Sequence, residues 1–303
     1  MTATRVNVVL ATYNGERFLE SLLVSLANQT RRPDHITLRD DGSTDRTIEI
    51  AKKWALQEHM SMTILTGPRL GPAKSFLTAI ADDELFDYYC LADQDDVWLP
   101  QKIERSIGFV DSIPKDTPCL YASRLAVVNE SLEFIKYSTI PRVVSFQNAV
   151  CENVLTGCTM TFNRSLAKLI IRHVPENVIM HDWWLYLLCS ACGVVLFDST
   201  HSILYRQHDS NTLGAEPTGP ARIGSRIGDF VNKPKRIRSL QLRELVSIYR
   251  NDLRAESVLV GKTLLNMEFG IIDRIWVALR SDIRRQSSFD TFSTRVSILL
   301  NRF

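Results

Sequence analysis

The chain has 303 residues, 45% of them apolar and 23% charged, with a net charge of +2. That is ordinary globular composition, which excludes a disordered or fibrous chain, and the length suits one large domain or a domain with an appendage. The charge is uneven: 16 Lys and Arg stand against 8 Asp and Glu from residue 221 onward, leaving 20 against 26 before it, so two regions with different tasks are expected.

In chain order, "VNVVLATYNG" reads as a strand closed by a turn, and "ERFLESLLVSLANQ" places Phe18, Leu19, Leu22, Leu23 and Leu26 on one helical face. "HITLRDDGS" is a short strand into a loop, and "TDRTIEIAKKWALQE" is a helix opened by an Asp or Thr cap. "MTILTG" is a third strand, "PAKSFLTAIADD" a third helix and "YYCLADQDD" a fourth strand. This alternation predicts an α/β fold with a doubly wound, mostly parallel sheet. Further on, "PCLYASRLAVVNE", "CTMTFNR", "VVLFDS" and "SILYRQH" read as strands, and "RSLAKLIIRH" and "DWWLYLLCSACG" as helices. The Gly- and Pro-rich segment 214–228 reads as a boundary or loop before a basic helical region that includes "IRSLQLRELVSIYRNDL" and "IIDRIWVALRSDIRR".

The six cysteines lack the density of a disulfide scaffold, and the Cys189/Cys192 pair has no second pair at zinc-finger spacing, so buried thiols in a reducing compartment are expected. The run Val6–Ala11 is too short for a secretory signal and is broken by Asn7. The longest apolar window, Trp183–Phe197, falls short of the roughly 20 residues a membrane span needs. A soluble cytoplasmic chain that could touch a membrane surface is the expectation.

Ligands of open parallel sheets gather at the carboxyl ends of the strands. Those ends carry Thr12-Tyr13-Asn14-Gly15, Asp40-Asp41-Gly42-Ser43 and Asp93-Gln94-Asp95-Asp96. Neither a GxGxxG turn nor a P-loop is present, so phosphate is not held by a glycine cradle. Paired carboxylates can instead hold Mg²⁺ or Mn²⁺, hard ions that keep substrate phosphates in their shell. Crowded carboxylates raise one another's pKa unless a positive charge sits among them, and that charge is expected to arrive as the ion. This chemistry suits transfer from a nucleoside-diphosphate donor.

The stretches "VNVVLATYNGERFLESLLVSLANQT", "LRDDGSTDRT", "GPAKSFLTAI" and "LADQDDVWLPQKI" resemble family 2 glycosyltransferases, which have the GT-A fold. The later "TGCTMTFNR", "HDWWLYL" and "YRQHDSNTLG" resemble the bacterial polysaccharide branch of that family, where rhamnosyltransferases are common. The resemblance spans 5–215 and implies a GT-A domain over 1–215, with a nucleotide-binding half (1–100) and an acceptor half (101–215), followed by a basic helical region over 216–303. It implies that Thr12 and Tyr13 line the nucleotide pocket and that Asp40 or Asp41 contacts the base. It makes Asp93 and Asp95 the DxD pair, with Asp95 the metal ligand and Asp93 nearer the ribose, and puts Lys74 near the diphosphate; Ser75 stands where many relatives have Asn.

Inverting transfer needs a base for the acceptor hydroxyl, within about 3 Å of it. The resemblance points to Asp182, whose alternative reading is an N-cap for a helix beginning at Trp183. Trp183 and Trp184 would pack that helix or stack on a sugar. His208 could complete the metal shell, or be a loop histidine or a diphosphate hydrogen-bond donor; His181 reads as structural; and Asp96 reads as a cap for the helix after Pro100 or, since the resembled family usually has an acid there, as a further binding group. The segment bearing Lys233, Lys235, Arg236, Arg238, Arg243 and Arg250 is either a membrane-binding amphipathic helix or a solvated basic face. No nucleic-acid motif accompanies it. The expected partners are a dTDP- or UDP-sugar donor and a glycan or lipid-linked acceptor. A sugar-phosphate nucleotidyltransferase and a non-catalytic sugar binder are the competing classes; the first should carry a glycine- and arginine-rich loop that "ATYNGER" lacks.

Overall fold

The structure, a computed structural model, describes residues 4–81, 85–208, 236–266, 270–280 and 282–303. In its leading half, β1 (Val6–Thr12), α1 (Leu19–Ala27), β2 (His35–Asp40), α2 (Thr47–Gln57), β3 (Met62–Thr66), α3 (Pro72–Ala81) and β4 (Tyr88–Asp93) alternate as the pattern requires. Next come β5 (Val97–Trp98), α4 (Lys102–Val110), β6 (Cys119–Val128), β7 (Phe134–Tyr137), α5 (Phe146–Cys151), a 3₁₀ turn (Gly157–Thr159), β8 (Thr161–Asn163), α6 (Arg164–Arg172), α7 (His181–Cys192) and β9 (Val194–Arg206). Four further helices close the described chain: α8 (Ile237–Ile248), α9 (Ala255–Asn266), α10 (Ile271–Leu279) and α11 (Ser288–Leu299).

Among the described residues the strands form one sheet in the order β3-β2-β1-β4-β8-β6-β9-β5, with β7 beside β6. The first four strands are mutually parallel, while β8 runs antiparallel to both β4 and β6. Side chains of a strand alternate between faces. Val6, Val8 and Leu10 of β1 therefore join Cys90 and Ala92 of β4 in one core beneath α1, α2 and α4, while Val9 and Leu91 face the other, beneath α3, α6 and α7. Burial on both faces explains the near-continuous apolar reading of β1 and β4. Asn7 lies inside β1, fully buried, and its amide donates to Thr37 Oγ1 at 3.0 Å.

The stretches "VVLFDS" and "SILYRQH" prove to be one strand, β9, rather than two. Its pairing with β6 jumps from Ser123↔Asp198 to Arg124↔His201, so two additional β9 residues are accommodated there as a bulge. The bulge lets β9 deliver Arg206 and the following His208 to the end of β4. The helices α8–α11 contribute Leu242, Leu245, Tyr249, Leu264, Val277 and Ile298 to the α3/α6/α7 core. Glu244 of α8 accepts from the Glu176 and Asn177 backbone and lies 2.7 Å from His173, which helps tie that helix to the loop before α7. The segment 214–228, with Lys233 and Lys235, lies outside the described residues.

Candidate active site

Because β2, β1 and β4 are neighbours, their carboxyl ends open side by side into a cleft of about 560 Å³. Gln94 clamps two of these ends, its amide donating to Tyr13 O at 3.1 Å and its Oε1 accepting from Tyr13 N at 3.0 Å. A Cβ on Gly15 would stand 2.3 Å from Gln94 Oε1, so that close approach requires glycine. Asn14 takes φ 46° and bridges to the second loop, receiving the Thr44 N–H on its side-chain oxygen at 2.9 Å.

The two aspartates after β2 divide their tasks. Asp40 accepts from Thr12 Oγ1 (2.8 Å) and from the backbone of Gly42 and Ser43, so its oxygens are committed to shaping the turn and it does not line the cleft. Asp41 does line it, and receives the Gly71 N–H at 2.8 Å with Arg39 3.4 Å away. Lys74 is exposed on α3 and is not brought to the cleft. The cations on its wall include Arg17 and Arg69, the latter stacked on Tyr13 at 3.9 Å.

At the end of β4, Asp93 and Asp95 face the cleft with His208, whose Nε2 donates to Asp95 Oδ2 at 2.8 Å. Burial raises Asp93's pKa to about 7, assisted by repulsion from Asp95 and Asp182. Asp96 is fully buried, and burial with repulsion from Asp95 and Asp93 pushes its carboxyl well above the usual range. The expectation that Asp96 starts a helix is corrected: Oδ1 accepts the Arg206 N–H at 3.1 Å, and Oδ2 finds no hydrogen-bond partner among the described residues. The chain also supplies cations behind the carboxylates, contrary to the expectation that their positive partner comes only from outside. Arg206 donates to Asp95 O at 2.9 Å, and buried Lys102 sits 3.7 Å over the Trp98 ring within the field of Asp96.

Among the described residues one group of three donors lies close enough together to hold a cation. Asp93, Asp96 and Cys158 bring one ligand atom each within 4.8 Å of one another, but burial holds the Cys158 thiol protonated and Asp96 does not line the cleft. Asp93, Asp95 and His208 line it together, and of these Asp95 and His208 are in direct contact.

Asp182 faces the same cleft from α7. The helix begins two residues earlier than expected, at His181, with Met180 at its N-cap position, so Asp182 belongs to the first turn instead of capping it. Its Oδ2 accepts the Gly157 N–H at 3.2 Å and its Oδ1 the Trp183 N–H at 2.7 Å. Burial raises its pKa to about 6 despite these bonds and one from the Asn153 side chain. His181 packs against Phe76, with ring centroids 4.1 Å apart, and desolvation lowers its pKa to about 3, so it is neutral at working pH. Neither ring nitrogen has a hydrogen-bond partner among the described residues, and the ring lines the cleft.

The fold therefore gathers Thr12, Tyr13, Asp41, Asp93, Asp95, Asp182 and His208 around one opening, and leaves Asp40 and Lys74 outside it. Gln94, Gly157, Arg17 and Arg69 were not singled out from sequence. Gln94 sits between two acids that draw all attention, and the glycine's role depends on a helix reached 24 residues later.

A mixed sheet with acidic strand ends around a cleft of this size fits the GT-A glycosyltransferases that the sequence resembles. The chain belongs to glycosyl transferase family 2, whose family model matches residues 7–171. It is 29% identical over 235 residues to the dTDP-rhamnosyl transferase RfbG of Shigella flexneri, covering 74% of this chain and 80% of that protein. In fold it resembles TarS (residues 1–349) of S. aureus solved with UDP-GlcNAc, at TM-score 0.56 and 14% identity over 98% of this chain and 91% of that one. The mannosyltransferase PcManGT from Pyrobaculum calidifontis, solved with GDP-Man and Mn²⁺, gives TM-score 0.52 at 14% identity, covering 100% and 89%. The protein is a glycosyltransferase.

Proposed function

We propose that the protein transfers a sugar, rhamnose foremost, with inversion from a nucleoside-diphosphate donor to a glycan or lipid-linked acceptor in bacterial surface polysaccharide synthesis. The observation that carries this reading is that Asp182 shares the cleft with Asp93 and Asp95 while standing on a different wall, near enough for its charge to act on Asp93. One group of carboxylates can hold the donor while the other serves the acceptor.

Thr12, Tyr13 and Asp41 take the nucleotide, with Asp41 toward the base, and Arg17 and Arg69 lie on the cleft wall where they can meet the diphosphate. Asp93's pKa, raised to about 7 by burial and by repulsion from Asp95 and Asp182, marks a carboxylate excess that a divalent cation would relieve, and oxygen donors suit Mg²⁺ or Mn²⁺. Asp93, Asp95 and His208 would hold it. When bound, the ion supplies charge neutralisation to the departing diphosphate.

Asp182 acts on the acceptor. Its carboxylate takes the hydroxyl proton as that oxygen attacks the anomeric carbon, and the Gly157 N–H fixes the orientation of Oδ2. A pKa of about 6 leaves it ionised at neutral pH yet more basic than an exposed aspartate. Negative charge in the cleft also favours an oxocarbenium-like transition state.

A nucleotide-sugar panel tests the reading, with dTDP-rhamnose and UDP-hexoses scored for donor-dependent thermal stabilisation and diphosphate release with and without Mn²⁺. Metal-dependent release from dTDP-rhamnose is expected. Stabilisation by UDP-sugars alone would reject rhamnose, and release unaffected by chelator would reject the metal.

A further inference from the structure

The basic segment singled out from sequence is not the most unusual surface of the C-terminal region. Arg238 of α8 turns inward, lying 5.8 Å from the Trp183 ring and 5.6 Å from Phe303. The conspicuous surface is on α10 and α11. In α10, Ile271, Ile272, Ile275, Trp276 and Leu279 recur at one-helix-face spacing and all are exposed, Trp276 by 71% and Leu279 by 70%. In α11, Phe289 (61%) and Phe292 (66%) share a face with Leu299 and Leu300. The two helices lie together and run antiparallel: Arg274 donates to Leu299 O at 3.2 Å, and Arg295 to Arg280 O at 3.3 Å.

So many large apolar side chains on two adjoining helices exceed what a soluble surface scatters singly. We propose that the outer faces of α10 and α11 dock in the interface of an anionic lipid bilayer. Charge selects this occupant over a second copy of the chain. Residues 270–303 hold six Arg against three Asp; with Arg280 paired to Asp282, Arg285 paired to Glu152 and Asp290 buried, Arg274, Arg284, Arg295 and Arg302 stand against Asp273. Two such surfaces would repel one another, whereas anionic headgroups neutralise them. Among the described residues no helix is long and apolar enough to cross a membrane, so the pair lies on the surface with Trp and Phe at the level where aromatic rings settle.

The connection between the two helices also reaches the site. Gln286 donates to Val143 O at 2.6 Å, Arg285 bridges to Glu152 at 2.8 Å, and neighbouring Asn153 bonds Asp182. Docking would hold the acceptor wall of the cleft beside the bilayer. The proposal does not depend on the identity of the donor.

The test is co-sedimentation of the full chain with vesicles of phosphatidylcholine alone or mixed with phosphatidylglycerol, comparing wild type with Ile272→Glu/Trp276→Glu and Phe289→Glu/Phe292→Glu. Wild type should partition onto the anionic vesicles, and each double variant should lose at least about tenfold in partitioning with an unchanged melting temperature. In parallel, brominated lipid should quench wild-type tryptophan fluorescence, and Trp276→Phe should remove that quenching, a readout that leaves the fold intact. Absence of wild-type binding, or equal binding by the glutamate variants, overturns the proposal. Self-association abolished by the same variants without vesicle binding overturns it in favour of a second copy.

Discussion

His208 Nε2 lies 2.8 Å from Asp95 Oδ2, joining residues 113 positions apart. Asp95 follows β4 and His208 follows β9, strands separated in the sheet by β8 and β6. The bulge in β9 and the Arg206 N–H bond to Asp96 bring them together. If these side chains hold a divalent ion, Asp95→Ala abolishes turnover and ion-dependent donor binding. His208→Ala removes one of the three holding groups and weakens ion affinity by at least the about 10–100-fold that loss of a mere supporting partner costs. Titration calorimetry with Mn²⁺ and donor checks both; undiminished ion binding in Asp95→Ala would remove the metal role.

Asp182→Asn keeps the shape of the side chain and removes its basicity. Donor affinity should stay near that of wild type while turnover falls about 10²–10⁴-fold. A parallel loss of donor binding would mark Asp182 as structural.

Turnover should also report the ionisation of Asp182. The group acts deprotonated and its pKa is raised to about 6, so kcat/KM for the acceptor rises with pH through that value and levels above it. Neutral His181 adds no opposing limb near neutrality. A profile flat from pH 5 to 7 would exclude Asp182 as the base.

Ion-free stability should run the other way. Asp93's folded pKa is raised from 3.8 to about 7, so the native state binds more protons than the unfolded chain between those values. Stability therefore falls as pH rises through that window. Added Mn²⁺ should raise the melting temperature more at pH 8 than at pH 5, and Asp93→Asn should flatten the ion-free dependence. Differential scanning fluorimetry over pH, with and without the ion, reads both.

Gly157→Ala should harm the acceptor wall. Its new Cβ would stand 2.4 Å from His181 Nε2 and 3.4 Å from Asp182 Cβ, and Phe76 packed on the ring limits its escape. Overpacking of this kind costs about 1–3 kcal/mol. Adding His181→Ala should restore most of that stability; a double variant no more stable than Gly157→Ala would show that the clash is not with the ring.

Much of this protein is legible in its sequence. The two-face burial of β1 and β4, the spacing in α1 and the acidic strand ends are local signals, because strand and helix periodicity is written residue by residue. Asp41, Asp93, Asp95 and Asp182 stand out for the same reason: carboxylates beside buried runs are conspicuous. Partnerships across the sheet are not local. That Asp40 spends its oxygens on its own turn while Asp41 faces the cleft follows from how the loop after β2 meets the one before α3. Asp96's burial depends on β9 returning with a bulge. Lys74 and Arg69 look equivalent as basic residues near one glycine, yet α3 turns Lys74 to solvent while Tyr13 holds Arg69 over the cleft. Composition and period therefore specify the elements and the chemical types at their ends. Which of two neighbouring like residues meets the substrate is decided by packing, since one residue of rotation exchanges the core for the cleft.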